Sequence, residues 1–304
     1  MITFNEGVKL IFADVDDTIA PPYIEATTDM IQELNLLLSE NRSLILTSGG
    51  SLQSIMQRIT DKIDSPLRHK ILIVHCLGAE TWGFEKDGTL RTHAWHSVYH
   101  EKLDDGQKLL WRKLVEEVEE EFGLRVYPTQ PMDDFVKESN GDPKAVMKAD
   151  RGPQITWEFV NDPKIRDPII THIKKVFTSN HLPVTPRKGG TCALDLALEG
   201  VTKSSAMSHI LNSGEILRSI DIPYMDILQY PNKMEVWGDR YMPGLPDVDM
   251  SLALPPRVRS ISFRKEEDAT TFPKGYNIVL WDGKKELCEG LLEYLQTRTT
   301  SKGY

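Results

Sequence analysis

The sequence is poor in cysteine, in long apolar runs and in positive charge. Its three cysteines, Cys76, Cys192 and Cys288, are far apart, odd in number and without CxxC spacing. This argues against a disulfide framework or a structural zinc site and predicts buried free thiols. The apolar runs have the length of strands, well short of the roughly 20 residues that span a bilayer. A net charge of -9 disfavours nucleic-acid binding, which requires a basic surface. We therefore expect neither a membrane nor a nucleic-acid partner.

The 304 residues, 40% of them hydrophobic, are enough for one large domain or two ordinary ones. The N-terminal residues show no basic segment followed by an apolar run, which favours a cytoplasmic protein over a secreted one. The oligomeric state stays open at this point.

Strand-like and helix-like patterns alternate in the first third of the chain. Apolar runs at Lys9–Ala13, Ser43–Leu46 and Lys70–Val74 are separated by helical patterns at Thr27–Leu38 and Ser51–Ile59. This alternation predicts a parallel sheet with crossover helices. In such sheets, functional residues collect at the carboxyl ends of the strands.

The middle of the chain has a different character. Leu103–Phe122 is a long charged helical pattern, Gln154–Phe159 alternates like an exposed strand, and Pro168–Phe177 is again helical. The stretch Asp133–Gly152 is rich in Asp, Lys, Gly and Pro, and it predicts an irregular loop.

We interpret this middle block, residues 85–187, as an α+β domain inserted into a core formed by residues 1–84 and 188–304. Sheet-like segments of the core resume at Thr191–Leu198 and Met234–Trp237. The residues after Asp249 predict closing strands and a final helix of the same core.

The sharpest motif is Asp14-Val15-Asp16-Asp17-Thr18, which directly follows the apolar run Leu10–Ala13. Crowded carboxylates repel one another unless a cation or a phosphate-binding site offsets their charge. Because side chains alternate along a strand, Asp14 and Asp16 can face one site while Val15 points into the core. The motif predicts a metal or acid–base site, although Asp-Asp-Thr also occurs in solvated turns.

A second motif stands at the end of the next strand. Thr47-Ser48-Gly49-Gly50-Ser51 leads from an apolar run into a helical pattern. A small hydroxyl followed by glycines at a helix start presents backbone N–H groups to an anion. The same residues also suit a simple tight turn, so this motif alone leaves both interpretations open.

The third motif is a lysine at a helix start. Thr202 has the character of an N-cap, which places Lys203 in the first turn, where the helix dipole disfavours a cation. A nearby anionic group would offset this cost. An exposed, solubilising lysine is the alternative interpretation.

The fourth motif follows the apolar run Met234–Trp237 and places Asp239 and Asp247 on either side of a Pro-Gly turn. Carboxylate oxygens are hard ligands of the kind that Mg²⁺ takes, usually one or two per site together with phosphate and water. The alternative is a pair of surface carboxylates in a loop.

In this order, the four motifs resemble the signature of the haloacid dehalogenase (HAD) superfamily: DxDxT, a Ser or Thr after a second strand, a Lys, and Gly-Asp with a later Asp. The similarity covers Lys9–Ser51 and Thr191–Asp249. The insertion between the second and third motifs resembles type IIB caps, as in Cof-like sugar phosphatases and phosphomannomutases. The resemblance implies a Rossmann-like α/β core with a parallel sheet and an inserted α+β cap.

The resemblance also implies residue roles. Asp14 would be the nucleophile and Asp16 the general acid and base. Ser48, Gly49 and Lys203 would bind phosphate. The cofactor would be Mg²⁺, and its implied ligands are Asp14, Asp16, Asp239 and Asp247.

Three positions depart from the signature. Asp17 stands where a Gly is usual, and Pro246 stands where an Asn usually precedes the last Asp. The segment Cys76–Glu80 lacks the Glu-Asn-Gly string that is typical after the third strand.

The resemblance leads us to expect a phosphatase that acts on a small phosphorylated metabolite, in particular a sugar phosphate. The alternatives are a phosphomannomutase-like phosphomutase and a non-catalytic binding protein with the same fold. Lys188 precedes a strand and is a candidate substrate contact, or simply part of a turn. A mutase usually needs paired cap arginines, whereas those of the middle block are dispersed: Arg91, Arg112, Arg125, Arg151, Arg166 and Arg187.

Overall fold

The computed structural model describes residues 2–223, 227 and 229–298, and it divides into two compact units. The first unit contains the chain up to His96 and again from Thr202 onward, and the second unit is Ser97–Val201. A single insertion therefore lies between the second and third motifs. Both of its limits lie later in the chain than the expected residues 85–187: it begins at Ser97 and ends at Val201.

The first unit is built on an eight-stranded sheet whose central strand is the first in the chain. The order across the sheet is β13-β12-β11-β1-β2-β3-β4-β5. The strands are β1 (Leu10–Asp14), β2 (Ser43–Thr47), β3 (Ile71–His75), β4 (Glu80–Gly83), β5 (His96–Ser97), β11 (Met234–Gly238), β12 (Arg259–Ser262) and β13 (Ile278–Leu280).

Strand β1 pairs in parallel with both β2 and β11. Asp14 lies opposite Thr47 across one interface, and Ala13 lies opposite Trp237 across the other. Strands β3, β12 and β13 continue the parallel arrangement, whereas β4 runs antiparallel to β3. The predicted α/β core with a parallel sheet is confirmed, and three motif-bearing strand ends adjoin one another.

Helices cover both faces of this sheet, which is why β1 is apolar without alternation. Ile11 and Ala13 pack in one apolar cluster, and Leu10 and Phe12 pack in another on the opposite side. The helices of the first unit are α1 (Thr28–Ser39), α2 (Leu52–Arg58), α7 (Lys203–Asn212), α8 (Gly214–Ser219), α9 (Pro246–Leu252) and α10 (Leu287–Leu295).

The second unit is an α+β structure with a mainly antiparallel five-stranded sheet in the order β6-β7-β8-β10-β9. Its buried residues include Trp111, Trp157 and Phe177. Its elements are α3 (Val98–Lys102), α4 (Asp105–Phe122), β6 (Arg125–Pro128), α5 (Met132–Ser139), β7 (Ala145–Asp150), β8 (Gln154–Glu158), α6 (Arg166–Ser179), β9 (Val184–Gly189) and β10 (Ala193–Leu198).

Two sequence-based expectations about this unit are wrong. The Thr191–Leu198 segment does not resume the core sheet, because β10 pairs antiparallel with β8 and β9. Strand β8 is not exposed, since all five of its residues are buried. Alternation of apolar and polar residues identified a strand here, but it could not identify the sheet that the strand joins.

The expected irregular loop at Asp133–Gly152 is also wrong, because it contains α5 and β7. Phe135 is the one buried apolar residue of α5, and Ser139 is the other buried residue. Asn140 then ends the helix in the left-handed conformation, with φ 49°. Composition suggested a loop because the short helix buries so little of its surface.

The three cysteines form no disulfide, but the expectation that all three are buried is wrong, because Cys192 and Cys288 are only partly buried. Within the described ranges, no helix combines the length and apolar character needed to cross a bilayer.

Candidate active site

Asp14 is the last residue of β1, and this residue is only 7% exposed. The next residue, Val15, is fully buried, as strand alternation predicts. The chain then turns tightly, with Ile19 and Ala20 both donating backbone hydrogen bonds to the Val15 carbonyl. This turn holds Asp16 and Asp17 at the edge of the sheet, beside Asp14.

Lys203 contacts two of the predicted carboxylates. Its ammonium donates to Asp14 Oδ1 and, at 2.8 Å, to Asp247 Oδ1, and the lysine is 3% exposed. Thr202 caps the helix, with Ser205 completing a capping box, so the predicted N-cap is confirmed. The two carboxylates supply the anionic environment that a lysine in the first turn requires.

Asp247 is fully buried, and its second oxygen is also engaged. Oδ2 accepts hydrogen bonds of 3.0 Å from the backbone N–H groups of Asp239 and Arg240. Pro246, the unexpected residue before it, occupies the start of α9, where its fixed φ suits a helix. A Cβ atom on Gly238 would lie 2.6 Å from Asp247 Oδ2, which explains the glycine at the end of β11.

The three carboxylates Asp14, Asp239 and Asp247 each offer an oxygen within 4.8 Å of the others. Asp239 Oδ1 is buried and accepts no hydrogen bond from any residue that the structure describes. A buried carboxylate oxygen without a donor is costly unless something binds it. Hard carboxylate oxygens converging around such an atom fit a divalent cation such as Mg²⁺.

The electrostatics fit a site that can bind a positive charge. Burial raises the pKa of Asp14 well above its usual range; Lys203 opposes this shift, and Asp247 adds to it. Burial followed by repulsion from Asp247 raises the pKa of Asp239 to about 7. Burial by itself would lower the pKa of Lys203, but the attraction of Asp14 and Asp247 outweighs it and raises that pKa.

Asp16 lies in a separate polar cluster beside these residues, with its side chain 40% exposed. Ser48 Oγ donates to Asp16 Oδ2 at 3.0 Å, and Arg58 Nη1 contacts Asp16 Oδ1 at 2.8 Å. The guanidinium of Arg58 is itself buried and also donates to the carbonyls of Pro21 and Ile24. Asp16 is therefore held from both sides while part of it faces solvent.

The loop after β2 is supported by an unusual turn after β3. Cys76 and Leu77 both have positive φ, 49° and 59°, and their N–H groups donate to the carbonyls of Gly50 and Ser48. Gly49 lies between these two carbonyls and next to the Leu77 side chain. The Asn that is usual in this segment tolerates such a conformation well, whereas Leu adopts it only with strain.

Arg264, which follows β12, was not identified from the sequence. It donates to Asp239 Oδ2 through Nε at 3.0 Å and also through Nη2, and Nη2 reaches Asp17 Oδ2 at 3.1 Å. A signal did exist, since a charged residue directly after a strand of a parallel sheet is the same pattern that singled out Asp14 and Asp239. Arg58 had no comparable signal, because it ends a helix.

Lys188, the candidate substrate contact, lies in β9 of the second unit. Its ammonium pairs with Asp167 at 2.5 Å. The structure thus brings together Asp14, Asp239, Asp247 and Lys203, places Asp16 with Ser48, and gives Lys188 a partner within its own unit.

No family model matches the chain, and no curated protein matches its sequence. Solved structures do match over nearly the whole length. One is a haloacid dehalogenase-like hydrolase from Bacteroides thetaiotaomicron, with a TM-score of 0.61, 15% identity, and coverage of 95% of this chain and 98% of that one. The chain has the fold of the haloacid dehalogenase-like hydrolases.

Two further structures support this HAD fold. A trehalose-6-phosphate phosphatase related protein matches with a TM-score of 0.53 and 15% identity, covering 95% of this chain and 96% of that one. A phosphatase of the HAD superfamily from Bacteroides thetaiotaomicron matches with a TM-score of 0.53 and 11% identity, covering 98% and 99%. At these identities, the likeness concerns the fold.

The substitution Gly238→Ala should destabilise the protein by about 1–3 kcal/mol, because the added methyl group overlaps a fully buried carboxylate. We expect a lower urea midpoint in equilibrium unfolding. Gly7→Ala is the matched control, since its Cβ atom would meet only ordinary contacts. Equal midpoints for the two variants would contradict the packing described for Asp247.

The raised pKa of Asp239 predicts a pH dependence in metal-free protein. An unfolded aspartate ionises near pH 4, but the folded one resists ionisation up to about pH 7, so the free energy of unfolding falls between these values. Asp239→Asn removes this penalty. The melting temperature of the variant minus that of wild type should therefore be larger at pH 8 than at pH 5. The measurement is thermal denaturation with a chelator present.

Proposed function

We propose that this protein is a metal-dependent phosphohydrolase that cleaves a small phosphorylated metabolite through an aspartyl-phosphate on Asp14. The observation that carries the proposal is the convergence of Lys203, Asp239 and Asp247 on Asp14. A carboxylate attacks a phosphate only where positive charge offsets their repulsion. Lys203 supplies one such charge in direct contact with Asp14.

In the first step, an oxygen of Asp14 attacks phosphorus and the ester P–O bond breaks. Asp16 donates a proton to the departing alcohol oxygen. Arg58 and Ser48 fix the orientation of this carboxyl group, and 40% of the side chain is exposed to solvent.

In the second step, water attacks the phosphorus of the aspartyl-phosphate. Asp16 takes the proton from this water, phosphate leaves, and the Asp14 carboxylate is restored. Lys203 stays beside Asp14 throughout and balances the charge that moves between the carboxylate and the phosphoryl group.

Asp14, Asp239 and Asp247 are the residues that would hold a divalent cation, for which we propose Mg²⁺. When bound, the cation would offset the negative charge of the phosphoryl oxygens. The donor set supports this assignment, since it consists of carboxylates alone and includes the unbonded Asp239 Oδ1.

For the substrate, we propose a sugar phosphate. This rests on the resemblance of the sequence motifs to those of sugar phosphatases and on the similarity to a structure named as related to trehalose-6-phosphate phosphatase. A mutase would need free arginines to rebind a second phosphate. Arginines of the second unit are instead engaged internally: Arg112 with Asp150, Arg125 with Asp142, Arg166 with the Ala193 carbonyl, and Arg187 with the Leu198 and Val201 carbonyls.

The proposal is tested by phosphate release from a panel of sugar phosphates and other phosphate monoesters, with Mg²⁺ or with a chelator. Wild type should turn over at least one substrate only with Mg²⁺. Asp14→Asn should lower kcat by at least about a thousandfold, because the nucleophile is lost. Asp29→Asn, an exposed aspartate in the first turn of α1, is the matched control and should leave kcat unchanged.

Two outcomes would contradict the proposal. Turnover that survives in Asp14→Asn would rule out the aspartyl-phosphate. No phosphate release by wild type, together with phosphoryl exchange between a sugar monophosphate and a sugar bisphosphate, would identify a mutase instead.

A further inference from the structure

Arg264 engages one oxygen of Asp239 and leaves the other unbonded. Both Nε and Nη2 of the guanidinium donate to Oδ2, and Nε also donates to the Asp239 backbone carbonyl at 3.2 Å. The carboxylate is 1% exposed, so solvent does not compete for Oδ2. Oδ1 is buried and accepts no hydrogen bond from the described residues, so it is the Asp239 oxygen available to a cation.

The guanidinium has a second carboxylate partner. Nη2 contacts Asp17 Oδ2, and Asp17 stands in the left-handed conformation with φ 61°. An aspartate tolerates this conformation better than most residues other than glycine and asparagine. The departure from the usual Gly therefore supplies a second carboxylate that keeps Arg264 against Asp239.

Oδ2 of Asp247 is also engaged by hydrogen-bond donors, which here belong to the backbone. Two backbone N–H groups donate to its Oδ2, whereas Lys203 donates to its Oδ1. Neither Asp239 nor Asp247 therefore has both oxygens free for one cation. The donors on Oδ2 favour ligation of a cation through Oδ1 in each residue.

One-oxygen ligation distinguishes between divalent cations. Mg²⁺ is small and takes six ligands in near-ideal octahedral geometry, which suits carboxylates that give one oxygen each. Ca²⁺ takes six to eight ligands and readily accepts both oxygens of a carboxylate. A site in which two of the three carboxylates favour ligation through one oxygen disfavours the larger ion.

We propose that Arg264 is a specificity-determining residue that restricts Asp239 to one-oxygen ligation and so favours Mg²⁺ over Ca²⁺ at this site. The proposal rests on the proposed function, since it takes the carboxylate cluster to be the metal site. Arg264 acts through Asp239 and touches no reacting atom, so its role is that of a positioning residue.

The test measures Mg²⁺ and Ca²⁺ dissociation constants by calorimetry on the full chain, for wild type, Arg264→Met and Arg264→Lys. The readout is the ratio of the two constants. Removing a positive charge strengthens binding of both ions alike and cancels in the ratio, whereas freeing Oδ2 helps Ca²⁺ alone. We expect the ratio to shift toward Ca²⁺ by about tenfold in Arg264→Met, the order of one charge-assisted hydrogen bond.

Arg264→Lys keeps the charge but loses the two-nitrogen fork, so it should shift the ratio in the same direction. Arg257→Met is the control. Arg257 is exposed and precedes β12, whereas Arg264 follows it, so the two arginines lie at opposite ends of this strand. This variant should keep the wild-type ratio. An unchanged ratio in either folded Arg264 variant overturns the proposal and leaves the proposed function standing. If wild type binds neither Mg²⁺ nor Ca²⁺, both the role of Arg264 and the proposed metal-dependent function are overturned.

Discussion

The buried ammonium of Lys203 joins three parts of the first unit that are far apart in the chain. It contacts Asp14, 189 positions away, and Asp247, 44 positions away, so α7, β1 and α9 meet at one charged group. A buried charge without a partner costs several kcal/mol. Here the ammonium and the two carboxylates each have a partner of opposite charge. The strand ends, the capped helix and the loop after β11 are arranged around this requirement.

The carboxylates around Lys203 also have partners whose positions are fixed by the fold. Oxygens of the surrounding carboxylates accept from fixed donors: backbone N–H groups for Asp247, Arg264 for Asp239, and Arg58 with Ser48 for Asp16. Such donors need no rearrangement when a ligand arrives, because they are positioned by folding itself. The loop that supplies two of them is held in turn by Glu267, which accepts from the N–H groups of Tyr241 and Met242.

Each departure from the HAD signature has a local structural explanation. Asp17 and Leu77 adopt left-handed backbone conformations, which cost on the order of 1–3 kcal/mol for non-glycine residues. Each is tied down by a specific contact, Asp17 to Arg264 and Leu77 through its N–H to the Ser48 carbonyl. Pro246 begins α9 and delivers Asp247 into the cluster. None of the three removes a carboxylate or the lysine from the site.

The sequence by itself determined the parallel α/β core and the residues at its strand ends, because hydrophobic periodicity and motif order are local properties of the chain. It pointed to Asp14, Asp16, Lys203, Asp239 and Asp247, which the structure places at one edge of the sheet. Only the tertiary structure decided that β10 joins the second sheet, that residues 133–152 contain α5 and β7, and that Arg58 and Arg264 belong to the site. These depend on which distant groups meet, and a long-range pairing of charges or strands leaves no periodic trace in a single sequence.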